Sequence, residues 1–188
     1  MNTIKFLIIG PAKSGKTTIA NILADLNEGP TSTYRPTVAC RIVEFEKEPP
    51  SGYKKYSGKI PVEIWDISGD PAYEKCWPAI IKGAHGIIFV YDTASPSYEK
   101  DIDYYVNEFP KKHDIPPKQC MAYAHHLNNG DNPVPKTKPA ACLKGVAVQD
   151  ATAENISTIV VPFEKHFAHL MQILSESQDK EEKQLMDL

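Results

Sequence analysis

The chain has little cysteine, and none of it is arranged for chemistry. Cys40, Cys76, Cys120 and Cys142 are scattered over 188 residues with no C-x-x-C pair. That argues against a zinc site or a dithiol redox centre and predicts reduced thiols. No apolar run approaches the roughly 18 residues that cross a bilayer. The second residue is Asn2 rather than glycine, and the stretch from Gln184 to Leu188 holds no cysteine. Both common lipidation signals are therefore absent, and no direct lipid anchor is expected. A basic excess is lacking as well. Lys and Arg number 21 against 24 Asp and Glu, a net charge of −3, which argues against a nucleic-acid partner. With 41% hydrophobic and 24% charged residues and no internal repeat, the chain reads as one globular domain. Its size allows a core without staples.

What is present is concentrated near the N-terminus. Gly10-Pro11-Ala12-Lys13-Ser14-Gly15-Lys16-Thr17 matches the phosphate-loop pattern G-x-x-x-x-G-K-[ST]. It follows the apolar run Ile4 to Ile9 and opens a helical stretch, Thr18 to Leu26. Gly10 and Gly15 let the backbone turn tightly, so that successive N–H groups surround an anion at a helix N-terminus. Lys16 supplies a mobile point charge for the outer phosphates. The Thr17 hydroxyl suits a Mg²⁺ ion that also touches phosphate. The pattern predicts a bound nucleoside triphosphate.

Apolar runs alternate with helical patterns along most of the chain. Strands are expected over residues 3–9, 38–46, 59–66, 85–91, 120–124 and 141–148. The second and third form a hairpin around Pro49-Pro50-Ser51-Gly52. Residues 71–82 read as irregular or helical and 98–112 as helical. Residues 154–174 carry Ile156, Ile159, Val160, Phe163, Phe167, Leu170, Met171 and Leu174 at helical spacing, with Pro162 expected to kink or delay the start. The charged residues 175–188 are expected to form a frayed or disordered tail beyond a domain spanning 1–174. This order predicts a doubly wound α/β fold with ligands at the carboxyl ends of its strands.

Two further segments point to the same ligand. Trp65-Asp66-Ile67-Ser68-Gly69-Asp70 ends the third strand. Asp66 is placed to hold Mg²⁺, and Gly69 to bring its backbone N–H against a terminal phosphate. Tyr34-Arg35-Pro36-Thr37 lies in a polar loop, where Thr37 can cap the same ion and Pro36 keeps Arg35 extended. Trp65 and Trp77 are candidate aromatic anchors for a partner, or else core residues.

Together these motifs and the passage from Lys82 to Asp92 resemble the small GTPases of the Ras and Rab superfamily, over Ile4 to Leu174. The resemblance implies a six-stranded, mostly parallel sheet with one antiparallel strand and helices on both faces. It also implies GTP or GDP with Mg²⁺, and switch loops around Thr37 and Gly69 that are ordered by the terminal phosphate. Ligand contacts carry over to Gly10, Ala12, Lys13, Ser14, Gly15, Lys16, Thr17, Thr18, Thr37 and Gly69, and metal contacts to Thr17, Thr37 and Asp66. Cys76-Trp77-Pro78-Ala79, Ala84-His85-Gly86, Gln119-Cys120-Met121, Ala124-His125-His126 and Ser175-Glu176-Ser177 look like the Rab-like branch that serves intraflagellar transport. That likeness implies coiled-coil subunits of the transport complex as partners, and a place in the cytoplasm and the cilium or flagellum.

The chain departs from the superfamily where catalysis and base reading are expected. Asp70 stands at the position of the glutamine that orients the attacking water. It is an acceptor only, and a poor general base near neutral pH. Ala12 replaces a common glycine close to the reacting phosphate. Asp70 and Lys16 remain the catalytic candidates, and hydrolysis is expected to be slow or absent. The family's N-K-x-D reads here His125-His126-Leu127-Asn128. Asn128 offers a carbonyl without charge, and His126 a ring for stacking on the base, so guanine selectivity is expected to be weakened. Two other functions stay open: an active switch whose activator supplies the missing catalytic group, and a non-hydrolysing scaffold with weak nucleotide binding. A small-molecule kinase is disfavoured, since the loop around Lys136 and Lys138 brings no arginine pair.

Overall fold

The computed structural model describes residues 3–26, 35–51, 58–127 and 133–186. Six strands form one sheet: β1 (Ile4–Ile9), β2 (Cys40–Lys47), β3 (Ile60–Ile67), β4 (Gly86–Asp92), β5 (Cys120–His125) and β6 (Ala147–Ala151). Their spatial order is β2-β3-β1-β4-β5-β6. Only the β2–β3 pair is antiparallel, and the other pairs are parallel. The helices are α1 (Lys16–Leu23), α2 (Trp77–Ile81), α3 (Tyr98–Val106) and α4 (Ser157–Met186). The expected sheet and its single antiparallel strand are both present.

Strand alternation divides the core in two. Phe6 and Ile8 of β1 join Ile19, Leu23, Phe163, Phe167 and Leu170 of α1 and α4. Leu7 and Ile9 join Trp77, Ile80, Ile102, Tyr105 and Phe109 on the other face. Because successive side chains of a strand point to opposite faces, a strand buried on both sides must be apolar throughout. β4 meets this requirement through Tyr91, and β1 departs from it only at Lys5, whose Nζ reaches the Ile80 and Lys82 carbonyls.

Several expectations are changed or resolved by the structure. Residues 141–148 do not form one strand. Ala141–Leu143 is a 3₁₀ turn, and the strand runs over Ala147–Ala151. Leu143 is buried beside α3 residues, and Gly145 at φ 84° turns the chain before β6. The final helix does not end near Leu174 but continues to Met186, so the boundary expected there falls inside one helix. Its charged outer turns are built from good helix formers, and Gln172 donates to Glu176 one turn on at 3.0 Å. Trp77 is core, 5% exposed, whereas Trp65 stays partly exposed beneath the Lys5 ammonium, 3.6 Å from its ring centre. The helix expected over 98–112 is α3 followed by a wider π turn over Asn107–Lys111 that contains Pro110. A proline ring clashes with the carbonyl four residues earlier, and widening the turn relieves that clash.

His166 of α4 is buried against Phe6, with ring centres 6.2 Å apart, and Nε2 has no partner among the described residues. Burial pushes its pKa down to about 4, against a backbone hydrogen bond to Gln119 that favours the charged form. A base depressed in the folded state binds fewer protons than in the unfolded chain, so stability is lost as pH falls from about 6.5 to 4. The size of that loss is on the order of 3 kcal/mol. Urea midpoints measured between pH 7 and 4 should therefore fall more steeply for the wild type than for His166→Leu.

Candidate nucleotide site

The carboxyl ends of β1, β3 and β4 meet at one edge of the sheet. β1 turns there at Gly10, whose φ is 147°, and a Cβ at this position would lie 2.0 Å from the Val90 carbonyl oxygen of β4. Only glycine lets the strands approach so closely. Positive φ recurs at Lys13 (64°) and Gly15 (90°), so the loop folds as a concave run of peptide groups. Gly15 caps α1 with no side-chain hydrogen bond, and the first turn holds no acid. The first N–H groups of that helix and its positive dipole end are left for an anion.

Lys16 projects back over this loop. Its Nζ donates to the carbonyls of Gly10 (2.9 Å) and Pro11 (2.7 Å). Burial lowers its pKa to about 8, with the Asp66 charge opposing the shift. Asp66, at the end of β3, is fully buried. Its Oδ2 accepts from Thr17 Oγ1 at 2.6 Å and from Thr37 Oγ1 at 3.3 Å, and the two hydroxyls are 3.1 Å apart. Its Oδ1 has no partner among the described residues. Desolvation raises the Asp66 pKa against the pull of Thr17 and Lys16. A carboxylate and two hydroxyls around an unsatisfied oxygen form a hard-oxygen donor set, which suits Mg²⁺ and not a soft metal. Among the described residues there is no cluster of three His, Cys, Asp or Glu side chains that would compete for it.

The remaining candidates separate. Gly69 lies against the loop, and a Cβ there would sit 2.3 Å from Ala12 N. Ala12 and Lys13 are exposed at the rim, Ser14 is buried, and Thr18 faces outward on the first turn of α1. Asp70 caps the following 3₁₀ turn, Pro71–Cys76, and its Oδ1 accepts from Ala72 N at 2.9 Å. Its carboxylate is thus engaged with its own chain. Asn128 lies outside the described residues.

The two histidines serve different partners. His125 Nδ1 is 2.9 Å from the Ser14 carbonyl, so that nitrogen carries the proton and donates. The ring is so close to the loop that a Cβ on Gly15 would lie 2.2 Å from Nδ1. His126 points to the sheet edge instead. Its Nε2 is 2.9 Å from Asp150 Oδ1 and its Nδ1 is 2.9 Å from Thr93 Oγ1. Asp150 also accepts from Thr137 N at 2.9 and 3.1 Å. Both ring nitrogens of His126 are engaged in holding β4, β6 and the 133–139 segment together. Thr93, Thr137 and Asp150 had no motif to mark them. The only hint was that Val148-Gln149-Asp150 falls where the superfamily expects a second base-reading loop.

Comparison with known proteins agrees with this geometry. Residues 5–127 match the family model described as Roc, the Ras of Complex domain of DAPkinase. The human intraflagellar transport protein 22 homolog is 33% identical over 183 residues, 97% of each chain. The chain belongs to the intraflagellar transport protein 22 family of Ras-like small GTPases. A zebrafish (Danio rerio) member is 34% identical over 184 residues, again 97% of each chain. The GTP-bound IFT22/74/81 crystal structure from T. brucei superposes with a TM-score of 0.69 at 27% identity, covering 95% of this chain and 98% of that one. The GDP-bound T. brucei IFT22 structure shares the fold, with a TM-score of 0.63 at 23% identity and coverage of 95% and 99%.

The tie between loop and histidine yields a direct test. Gly15→Ala adds a methyl at a positive φ and drives it into the His125 ring. Without added nucleotide, unfolding free energy should drop by about 2 kcal/mol or more, measured by urea titration.

Proposed function

We propose that the chain holds GTP or GDP with Mg²⁺ and acts as a nucleotide-dependent subunit or adaptor of the intraflagellar transport machinery, hydrolysing GTP slowly or not at all. One observation carries the ligand reading. Two threonine hydroxyls, from α1 and from the segment before β2, converge on one oxygen of a buried aspartate whose other oxygen has no partner among the described residues. The GTP- and GDP-bound T. brucei relatives support a guanine nucleotide as the ligand.

The protein's own groups divide the work. The N–H groups of residues 13–17 and the α1 dipole bind phosphate oxygens. Lys16 exchanges its two loop carbonyls for phosphate, which restores a counter-charge to a buried ammonium. Thr17, Thr37 and Asp66 hold Mg²⁺, which supplies positive charge to the phosphates. Because Thr37 belongs to the loop before β2 and Gly69 to the loop after β3, both loops answer to the same ligand. Asp70 caps its own turn through Oδ1 and has no N–H to donate, so it lacks the donor half of the glutamine it replaces. With His125 on the phosphate loop and His126 on Asp150, neither ring is turned to reading a base, which supports weakened discrimination between guanine and adenine.

The T. brucei relative crystallised with IFT74/81 supports subunits of the transport complex as partners. We place the chain with them in the cytoplasm and the cilium or flagellum, and expect those subunits to be coiled coils. A partner face beside the ligand is consistent with Val38, 71% exposed, and Ile42, 48% exposed, next to Thr37.

Chromatography of nucleotide released by acid from the purified chain should give GTP or GDP. Bound ATP would overturn the guanine assignment. Failure to retain any nucleotide, with no fluorescent GTP analogue bound on titration, would remove the ligand reading. Asp66→Asn and Thr17→Ala should each weaken GTP binding in Mg²⁺ about tenfold or more, with much smaller changes in EDTA, as read by the same titration.

A further inference from the structure

The segment after β3 is fastened to α3 at more than one point. Trp77 packs on Phe109 at 4.8 Å between ring centres, and on Tyr105 at 6.0 Å and Tyr104 at 6.1 Å. The Tyr104 hydroxyl donates to Glu74 at 2.5 Å. Closer to the site, the Tyr105 hydroxyl donates to the Gly69 carbonyl at 3.4 Å. Burial keeps that phenol protonated, so it remains a donor. The same peptide is held at its other end, where Asp70 N donates to Ser68 Oγ at 3.2 Å. Ser68 is itself buried, and its N–H bonds to the Ala39 carbonyl at 2.9 Å. The Gly69–Asp70 peptide is therefore pinned at oxygen and at nitrogen, while Gly69 presses on the backbone of Pro11 and Ala12.

Glycine is the residue with most backbone freedom to lose, so fixing it before a ligand arrives removes a cost that binding would otherwise bear. We propose that Tyr105 is a positioning residue for triphosphate recognition: by holding the Gly69 carbonyl it presets the Gly69 backbone against the phosphate loop, where a terminal phosphate meets it. This rests on the nucleotide reading above and goes one step further, since it names a residue that would favour a triphosphate over a diphosphate. Tyr105 touches no ligand and acts through Gly69 alone. Trp77 and Phe109 hold Tyr105 in turn, so the aromatic cluster is the anchor of the triphosphate contact.

The test compares two nucleotides on the full chain in Mg²⁺. Affinities of GTPγS and GDP are measured by displacement of a fluorescent GDP analogue from the wild type, Tyr105→Phe and Ser68→Ala. Loss of one hydrogen bond that matters only to the triphosphate should weaken GTPγS about three- to tenfold and change GDP less than about twofold. Ser68→Ala releases the other end of the same peptide and should show the same asymmetry. A merely structural role for Tyr105 would weaken both nucleotides together, and that result, or unchanged GTPγS affinity in both variants, overturns the inference while leaving nucleotide binding intact. A wild-type chain that binds neither nucleotide overturns the ligand reading, and the inference falls with it.

Discussion

The site turns on one buried carboxylate. Asp66 is enclosed at the end of β3, and burial alone would favour its neutral form. Two hydroxyls, the Lys16 ammonium and the Arg41 guanidinium oppose that pressure. Lys16 and Thr17 open α1 at the end of the phosphate loop, and Thr37 and Arg41 come from the segment leading into β2 and from β2 itself. Remove the carboxylate and these two stretches lose their common partner. Keep it, and the protein carries a half-satisfied anion in its interior. Such a group is costly in isolation and useful once a cation and phosphates complete its shell.

The surroundings of this site are unequally rigid. On one side the phosphate loop is wedged between Val90 and His125 so tightly that glycine is required at Gly10 and Gly15. On the other, the segment after β3 is held by aromatic packing and a few side-chain hydrogen bonds. Binding energy spent on the first side changes little in the shape of the molecule. On the second side, the bonds at Thr37 are few, and each is weak by itself. A ligand there works on parts that small free energies can move.

The parts of the site that lie along the chain were legible in the sequence. The phosphate loop declares itself because a strand, a glycine-rich turn and a helix must follow one another without interruption. Asp66 and Thr37 were legible for a related reason, since both sit beside strand ends that a parallel sheet gathers at one edge. The network of Thr93, His126, Thr137 and Asp150 was not legible, because its members are joined only by the pairing of β5 with β6 and by a long loop. The register of β6 was misjudged for the same reason, since a short half-exposed strand has little pattern of its own. Trp77 illustrates the limit of local reading. Nothing near it in the chain says that Tyr104 and Tyr105 of α3, and Phe109 of the π turn after it, will be waiting there.

The long helix α4 has a mechanical consequence. Its 30 residues make a single rod of about 45 Å. The inner half is clamped by Phe163 and Phe167 against Phe6, in the strand that runs directly into the phosphate loop. The outer turns stand clear of that clamp, and beyond Pro162, which has no N–H to give, they continue the same helix. The rod is therefore a lever with its fulcrum inside the core. A load taken up on its free end is delivered as torque to the packing beneath the phosphate loop, far from any switch segment.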